Sequence, residues 1–471
     1  MKHLMHHLEK RKMTQLKRVP FLPICVIALC LVCTAHSAEK PNIILILADD
    51  LGYGELGCYD GPLKTPVMDQ LAKDGIRCTD GYSAFPVCSP SRAALLTGRY
   101  PARIGPKYED YFGKEETLDP VKHTTIGQLM KEAGYRTACF GKWNVSNGDR
   151  RPANDYGFDR WVGLHINHDY YTHKLAATGE LDMYVDGKPY PDREGTWCDT
   201  VFADEAIKFI KTESEKPFFI YLPFQAPHAP FQDPDVPHFK PVDDWQNKPD
   251  EVRNLVEKMI ERLDLEIGRV LNALDELGLS EDTLVILTSD NGGIKGGNIG
   301  RNLPLRGAKQ GLEEGGIRVP LIFRWPGVLA KGTEFSEPIH AMDLTATIAA
   351  VGGASYRADQ PFDGMNVLPA LKGERELPSN RPFFFRRFKS GKGNYQQSAV
   401  RQGDWKYLRS YGGSEKYIEA LYNLRSDIGE TKDLTRSAPE KLNALRRLLE
   451  KWELEMSKTA APLAPAPPKK K

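Results

Sequence analysis

Continuously apolar runs alternate with amphipathic segments between residues 41 and 353. PNIILILADD, PFFIYLPF and TLVILTSDNGG each contain a continuous apolar run, which is typical of strands buried on both faces in a parallel sheet. TPVMDQLAKDG and the charge-paired stretch EVRNLVEKMIERLDLEIGRVLNALDELG have helical periodicity. The alternation predicts an α/β fold, with a mostly parallel central sheet flanked by helices.

The pattern changes after about residue 353. Short strand-like pieces such as RPFFFRRF and QQSAVRQGDWKYLRSY follow, and then one amphipathic helix, PEKLNALRRLLEKWELEMSK. We therefore predict a main domain over residues 39–353 and a smaller α+β subdomain with an antiparallel sheet over residues 354–458. Residues 459–471 are rich in proline, alanine and lysine, and we expect them to be a disordered tail.

The first 38 residues have the pattern of a signal peptide. A basic leader precedes an apolar core at residues 21–33, and small residues near Ala38 are suited to cleavage. We expect export to the periplasm or the extracellular medium, with no membrane contact beyond this segment. An uncleaved anchor is the alternative.

Composition narrows the choice of partners. The 471 residues are 41 % hydrophobic and 27 % charged with a formal net charge of +1, so bulk charge suggests neither nucleic acid nor a membrane surface as partner. Of eight cysteines, three fall in the leader, and the odd number left would put one outside disulfide pairing in an oxidising compartment. No CxxC pattern occurs among them, which argues against a zinc–thiolate site.

Two pairs of oxygen-bearing side chains follow predicted strands. Asp49 and Asp50 end the first apolar run, and Asp290 and Asn291 end a later one. Ligands of open α/β sheets collect beyond the carboxyl ends of the strands, so these side chains are candidates for one cation site. Hard oxygen ligands favour Ca²⁺, with Mg²⁺ second. The alternative is that each pair caps a turn.

A cysteine stands where a helix is predicted to begin. In CSPSRAALLTG, Ser89 or Cys88 would cap a helix that starts near Pro90 and ends at Gly98. Cys88 would then face the partly positive helix end, with Arg92 close by, where an anion or a nucleophile is stabilised. A buried structural cysteine is the alternative.

Further cationic and imidazole groups follow other strands. Lys142 lies in GKWN, His228 in QAPHAP and Lys309 in LRGAKQGLEEGG. Together with a divalent cation they would form a pocket for a tetrahedral oxyanion. Solvated lysines and a loop histidine satisfied by the backbone are the alternative.

The stretch CSPSRAALLTGR is a complete match to the C-x-P-S-R-x-x-L-x-T-G-R signature of formylglycine-dependent sulfatases, in the alkaline phosphatase-like superfamily. Other stretches match that family in order: NIILILADDLGYGELGCYD, LTSDNGG, GLEEGGIRVPLIFRWPG, MDLTATIAAVGG, AVRQGDWKYL and LYNLRSDIGET. The chain resembles these sulfatases from about residue 41 to residue 452.

The resemblance implies that a formylglycine-generating enzyme or an anaerobic sulfatase-maturating enzyme converts Cys88 to formylglycine. The hydrated aldehyde would attack sulfur, release the alcohol, and then release sulfate. It also implies that Asp49, Asp50, Asp290 and Asn291 bind Ca²⁺ together with residue 88, and that Mg²⁺ is less suitable.

The resemblance assigns roles to the remaining groups and exposes one departure. Arg92 would hold the nucleophile, Lys142 and Lys309 would bind sulfate, and His228 would contact sulfate and protonate the leaving oxygen. The family usually has G-K-W-H where this chain has GKWN, and Asn144 cannot accept a proton at neutral pH. We expect Asn144 at the substrate, and His168 in HINHDYYTH as a candidate substitute for the missing histidine.

Aromatic and basic residues in predicted loops favour a sulfated carbohydrate substrate. They are found in HINHDYYTH, at Trp197, and in RRFKSGKGNYQQ, where Arg386, Arg387 and Lys389 would meet further anionic groups. Two alternatives stay open. One is a phosphodiesterase or phosphonate monoester hydrolase with the same fold, and the other is a non-catalytic protein that binds sulfated glycans.

Overall fold

The computed structural model of the protein describes residues 40–105, 109, 117–237, 239–242, 244–296, 299–389, 395–412 and 415–458. The predicted signal peptide and the predicted tail lie outside the described residues.

The strands are, in chain order, β1 (Asn42–Ala48), β2 (Ile76–Cys78), β3 (Gly81–Tyr82), β4 (Arg136–Lys142), β5 (Arg160–Leu164), β6 (Tyr184–Val185), β7 (Lys188–Pro189), β8 (Phe218–Pro223), β9 (Thr283–Ser289), β10 (Leu321–Arg324), β11 (Thr333–Phe335), β12 (Ile339–His340), β13 (Pro382–Lys389), β14 (Tyr395–Gln402), β15 (Trp405–Gly412) and β16 (Glu415–Asn423). The helices are α1 (Pro66–Lys73), α2 (Cys88–Thr97), α3 (Pro101–Ile104), α4 (Ile126–Glu132), α5 (Cys198–Ile210), α6 (Pro249–Glu276), α7 (Glu314–Ile317), α8 (Ala341–Val351), α9 (Leu368–Leu371) and α10 (Pro439–Ser457).

The main sheet has the strand order β11-β2-β10-β9-β1-β8-β4-β5-β6-β7. Its centre is parallel, because β1 pairs in parallel with β8 and β9, and β4 pairs in parallel with β8 and β5. Strand β10 runs antiparallel to β9. The predicted α/β class with a mostly parallel sheet is confirmed.

Alternate residues of β1 pack into two separate hydrophobic cores. Ile43, Leu45 and Leu47 join the core that contains α2, α4 and α8. Ile44 and Ile46 join the core that contains α1, α5 and α6. All five side chains are almost fully buried, and burial of each contributes roughly 1.5–3 kcal/mol. This explains why the strand is apolar at every position from Ile43 to Ala48.

A second, four-stranded antiparallel sheet has the order β13-β14-β15-β16. Helix α10 covers it, and the ring of Trp452 stacks on Phe384 with centroids 5.0 Å apart. The predicted α+β subdomain with an antiparallel sheet is therefore confirmed. Its bounds at residues 354 and 458 stay a prediction.

A buried ionic cluster joins this small sheet to the main domain. The Lys406 ammonium on β15 lies 2.8 Å from Glu314 Oε1 and 2.9 Å from Glu430 Oε1. The hydroxyl of Tyr82 also donates to Glu314, at 2.5 Å. Burial by itself would raise the pKa of Glu314, but the charges of Lys406 and Arg318 lower this pKa to about 2. The carboxylate is thus held ionised at the junction of the two sheets.

The five cysteines outside the leader are all unpaired, and all except the half-buried Cys58 are buried. Burial, rather than disulfide pairing, is the outcome for this set. Among the described residues, no helix is both long and apolar enough to span a bilayer.

We predict that Lys406→Met destabilises the protein by about 3 kcal/mol, because it removes the cation nearest to two buried carboxylates. The urea midpoint of unfolding measures this loss. Lys432→Met, at an exposed lysine of the same subdomain, is the control and should unfold at the wild-type urea concentration. Equal midpoints for the two variants would show that the cluster is unimportant for stability.

Candidate active site

The carboxyl ends of β1 and β9 bring the two predicted pairs together. Ala48 lies opposite Ser289 in the register, so the residues that follow leave the sheet side by side. The Asp50 amide donates to Asp290 Oδ1 at 3.3 Å, and Asn291 Nδ2 donates to Asp50 Oδ1 at 2.7 Å. Asp50 has a φ of +67°, a left-handed conformation that aspartate tolerates better than most residues. The chain can therefore turn immediately after the strand.

Helix α2 brings Cys88 to this edge of the sheet. The helix begins at Cys88 itself, and Val87 is the N-cap without a side-chain hydrogen bond. The prediction that Ser89 or Cys88 caps a helix starting near Pro90 is therefore wrong, although Gly98 ends the helix as predicted. The Cys88 thiol donates to Asp49 Oδ1 at 3.2 Å and accepts from the Lys309 ammonium at 3.3 Å.

Arg92 connects three segments beneath Cys88. Its fully buried guanidinium donates from Nε to Asp290 Oδ2 at 2.9 Å and from Nη1 to the Lys142 carbonyl at 2.8 Å. Its Nη2 also lies 3.6 Å from Asp49 Oδ2. Arg92 thus supports the two strand ends and the β4 terminus through fixed, charge-assisted contacts.

The predicted cationic and imidazole groups surround the same carboxylates. Lys142 Nζ lies 2.5 Å from Asp49 Oδ2, and Lys309 Nζ lies 2.7 Å from Asp50 Oδ1. His228 Nε2 is 3.6 Å from Asp50 Oδ2, and its Nδ1 is 2.6 Å from the Ala229 carbonyl. A carbonyl only accepts, so the proton of the neutral ring is on Nδ1, and Nε2 faces the site as an acceptor.

The pKa values at the site reflect burial opposed by neighbouring charge. For Asp49, burial would raise the pKa, but the nearby cations, Lys142 foremost, hold it well below its usual range. Burial and the charge of Asp49 raise the pKa of Asp290 to about 6. Burial, followed by the charge of Lys309, lowers the pKa of His228 to about 4. For Lys309, burial disfavours the ammonium, but Asp50 raises its pKa well above the usual value.

Cys88 is poorly suited to act as a thiolate. Burial, and then the charges of Asp290 and Asp49, raise the pKa of its thiol. A reactive cysteine normally requires a depressed pKa and access to solvent, whereas Cys88 is 6 % exposed. The thiol form of Cys88 is therefore favoured over the thiolate.

The ligand chemistry of the site fits a hard cation. Ligand atoms of Asp49, Asp50, Cys88 and His228 lie within 4.8 Å of one another. Asn291 Oδ1 is buried and has no hydrogen-bond partner among the described residues, as expected for an oxygen reserved for a metal ion. His228 thus belongs to this geometric group, although it was predicted to contact sulfate and protonate the leaving oxygen rather than to lie among the metal ligands. Asp290 is connected to the group through the Asp50 amide and Arg92.

His168 is not brought together with these residues. Its buried ring stacks on His173, with centroids 5.4 Å apart, and both of its ring nitrogens are without a hydrogen-bond partner in the described part of the chain. Its backbone is held by Gln225, at 3.2 Å to the His168 amide and 2.8 Å to its carbonyl. The side chain that reaches the site is that of Asn167, whose Nδ2 donates to Asp49 Oδ2 at 3.0 Å. Its position shortly after β5 was the only signal for it in the sequence.

Asn144 lies close to the site, two residues beyond Lys142. It is buried and has a φ of +55°. Its Nδ2 donates to Asn147 Oδ1 at 3.1 Å, and Asn147 Nδ2 is 3.5 Å from the Ser89 hydroxyl. Asn144 therefore connects the end of β4 with the start of α2 through neutral groups only.

Two residues predicted at the rim are buried instead. Trp197 is 2 % exposed and stacks on Tyr170, with centroids 4.0 Å apart. Arg386 is enclosed in an ion pair with Glu109, at 2.6 Å. Both predictions are wrong: Trp197 packs at the start of α5, and Arg386 lies in strand β13 rather than in a loop and is covered by Glu109. Arg387 does line a surface cleft, and the side chain of Lys389 lies outside the described part.

Paired carboxylates, two lysines and a buried position for a nucleophile, all near the strand ends of an α/β sheet, suit the chemistry of a hydrolase of oxyanion esters. Family models identify the ester. The Sulfatase model matches residues 41–354, and the model of the N-sulphoglucosamine sulphohydrolase C-terminal region matches residues 308–458. The chain belongs to the sulfatase family and is a sulfuric ester hydrolase.

Individual relatives agree with this assignment. N-acetylgalactosamine-6-sulfatase of Canis lupus familiaris is 33 % identical, over 75 % of this chain and 70 % of that protein. Human arylsulfatase A is 31 % identical, over 90 % of each chain. The crystal structure of Ps i-CgsB in complex with k-i-k-neocarrahexaose is 31 % identical with a TM-score of 0.77, covering 89 % of this chain and 94 % of that one.

We predict that Asn167→Ala lowers kcat/KM for an aryl sulfate by roughly tenfold, because the loss of an amide that orients a site carboxylate commonly costs 10- to 100-fold. Asn167→Asp should be worse, because it places a second negative charge against Asp49. Asn272→Ala, on the exposed face of α6, is the control. Wild-type kinetics in both Asn167 variants would remove this residue from the site.

Proposed function

We propose that the protein removes sulfate from a sulfated carbohydrate, using a formylglycine formed from Cys88 and a bound calcium ion. The observation that carries the proposal is the convergence of Asp49, Asp50 and Lys309 on residue 88. Asp49, Asp50, Asp290 and Asn291 would hold the ion, with residue 88 and His228 beside it. When bound, calcium would supply positive charge that orients the nucleophile and offsets the charge of the sulfate.

The hydrate of formylglycine would supply the oxygen nucleophile that the protonated Cys88 thiol does not. The residues of the chain then bind and orient the ester. Lys142 and Lys309 present two buried ammonium groups to the sulfate oxygens, and Arg92 keeps the strand ends and the start of α2 in place. Because the site is buried, these charges act with little screening by water.

The histidine that the family usually has after the tryptophan of G-K-W-H is replaced by Asn144. The His168 ring stacks on His173, and the neighbouring Asn167 contacts Asp49 instead. His228 Nε2, which faces the site as an acceptor, is the imidazole nitrogen closest to the carboxylates among the described residues. We therefore propose His228 as the group that protonates the alcohol oxygen released from the ester. Asn144 would contribute hydrogen bonds but no proton transfer.

The carbohydrate substrate is supported by a relative of similar length. Ps i-CgsB was crystallised with a neocarrahexaose, and this chain matches 94 % of that protein. The relative named N-acetylgalactosamine-6-sulfatase points to the same class of ester. Export through the predicted signal peptide would bring the enzyme to extracellular polysaccharides, after a maturation enzyme has acted on Cys88.

We expect sulfate release from defined sulfated oligosaccharides with a kcat/KM above that for a small aryl sulfate, because the substrate would gain contacts beyond the sulfate. Ion chromatography of released sulfate measures it. Sulfate release from aryl sulfates alone would contradict the carbohydrate proposal.

Protein from the native host should carry formylglycine at residue 88, as measured by peptide mass. Cys88→Ala should be inactive, while the control Cys58→Ala should be active.

We also expect a chelator to lower the melting temperature and abolish activity, and Ca²⁺ to restore both. A cation at 100 times its Kd stabilises the folded state by about 2.7 kcal/mol. In Asp49→Asn the calcium-dependent rise in melting temperature should disappear. Asp282→Asn, at the opposite end of β9, should keep it. A larger rise with Mg²⁺ than with Ca²⁺ would identify magnesium as the ion, and no rise with either would contradict a metal site.

A further inference from the structure

A cleft of about 840 Å³ lies beside the site, between residues 294–296 and 300–313 on one side and strands β13–β16 on the other. Five cationic side chains and one carboxylate line it: Lys295, Arg301, Arg306, Lys309, Arg387 and Glu313. Its volume is typical of cavities that bind small ligands. The strong excess of positive charge favours an anionic occupant.

Lys309 connects the cleft with the catalytic centre. It lines the cleft, and its ammonium is 3.3 Å from Cys88 Sγ and 2.8 Å from Asp50 Oδ2. Its backbone amide donates to the Gly293 carbonyl at 2.9 Å. Lys309 is therefore shared by the cleft and the site around residue 88.

The cationic wall is held rigidly. The Arg301 amide donates to Glu55 Oε1 at 2.7 Å, and the Arg301 carbonyl accepts from the Gly54 amide at 3.1 Å. A Cβ on Gly54 would lie 2.1 Å from the Leu303 carbonyl oxygen, so only glycine permits this approach. Asn302 Oδ1 also accepts from the Gly293 amide at 2.8 Å. Such a pre-formed wall can bind a ligand without first becoming ordered.

Two of the arginines are only weakly neutralised. Arg301 is 35 % exposed and lies 3.9 Å from Glu257, whose carboxylate is already bound by Arg253 at 2.7 Å. Arg306 is 41 % exposed and lies 3.8 Å from Glu430, which Lys406 binds at 2.9 Å. Both guanidinium groups thus keep most of their charge available to a ligand.

Apolar surface lies among these charges. Leu303 is 72 % exposed and Ile418 is 48 % exposed, and both line the cleft. The ring of Tyr422, over which Arg306 lies at 5.2 Å, also lines it. Alternating charged and apolar contacts suit a sugar ring that carries an anionic substituent better than a free inorganic ion.

We propose that this cleft binds a second anionic group of the same glycan chain, carried by a sugar next to the one whose sulfate is removed. Lys295 and Arg301 recognise this group, and the apolar side chains contact the sugar ring. The proposal rests on the proposed carbohydrate substrate and narrows it to chains with closely spaced anionic groups. A second sulfate ester and a uronate carboxylate share the required chemistry.

The test uses the double variant Lys295→Gln/Arg301→Gln. Its control is Lys331→Gln/Arg357→Gln, which removes the same charge from exposed positions outside the cleft. The measured quantity is kcat/KM for an oligosaccharide with sulfates on neighbouring sugars, divided by kcat/KM for a small aryl sulfate. We expect this ratio to fall roughly tenfold or more in the cleft variant, through KM, because charge-assisted hydrogen bonds are lost.

A binding measurement distinguishes a failure of the cleft proposal from a failure of the proposed function. In a Cys88→Ala background, calorimetry with the same oligosaccharide should show a Kd raised roughly tenfold by the cleft substitutions and unchanged by the control. An equal Kd in the cleft and control proteins would overturn the cleft proposal. Wild-type enzyme that hydrolyses aryl sulfate but no oligosaccharide would instead overturn the proposed function, and the calorimetry would still decide the cleft.

Two further oligosaccharides identify the anion. One carries a single sulfate next to a uronate, and the other carries a single sulfate next to a neutral sugar. If the cleft substitutions weaken binding of the uronate-containing oligosaccharide as much as binding of the disulfated one, a carboxylate also occupies the cleft. If the cleft substitutions weaken binding of the disulfated chain alone, the cleft is assigned to sulfate. A similar loss with the neutral neighbour would overturn recognition of an anion.

Discussion

The site depends on the repulsion between three buried carboxylates and on the cations that offset it. Asp49, Asp50 and Asp290 meet where two parallel strands end, and none of them faces bulk water. Arg92 and the two lysines make this arrangement stable, because a buried charge is tolerated only when it is paired. The same balance leaves the site suited to a divalent cation and to an anionic ester, since each partner satisfies charges of opposite sign that are already in place.

The small C-terminal sheet contributes to this balance from outside the main domain. Lys406 reaches across to Glu314, which lies five residues after Lys309 in the chain. The segment that carries Lys309 is therefore fixed at one end by the ionic cluster and at the other by contacts with Gly293 and Glu55. Because the four-stranded sheet also forms one wall of the cationic cleft, substrate recognition and support of the site share the same elements.

The sequence predicted the groups whose positions follow from the rules of the fold. Asp49 and Asp290 lie at the strand ends where they were predicted, because continuous apolar runs identify the strands of a parallel sheet. Ligands collect at the carboxyl ends of such strands. The start of α2 was missed because Val87 offers no capping side chain. Asn167, His168, Trp197 and Arg386 depend on tertiary packing: a one-residue difference along a loop decides which side chain reaches Asp49, and Glu109, distant in sequence, hides Arg386. No local pattern contains that information.

The position of Glu314 so close to Lys309 constrains how such enzymes can diversify. A substitution on the inner face of the small sheet that alters the ionic cluster would also shift Lys309, so a new specificity gained there would lower the turnover that we propose depends on this lysine. Side chains at the open rim of the cleft, such as Lys295 and Leu303, are exposed and are not part of the ionic cluster. Divergence in substrate preference is therefore expected to concentrate at the rim, while the interface between the two sheets changes slowly.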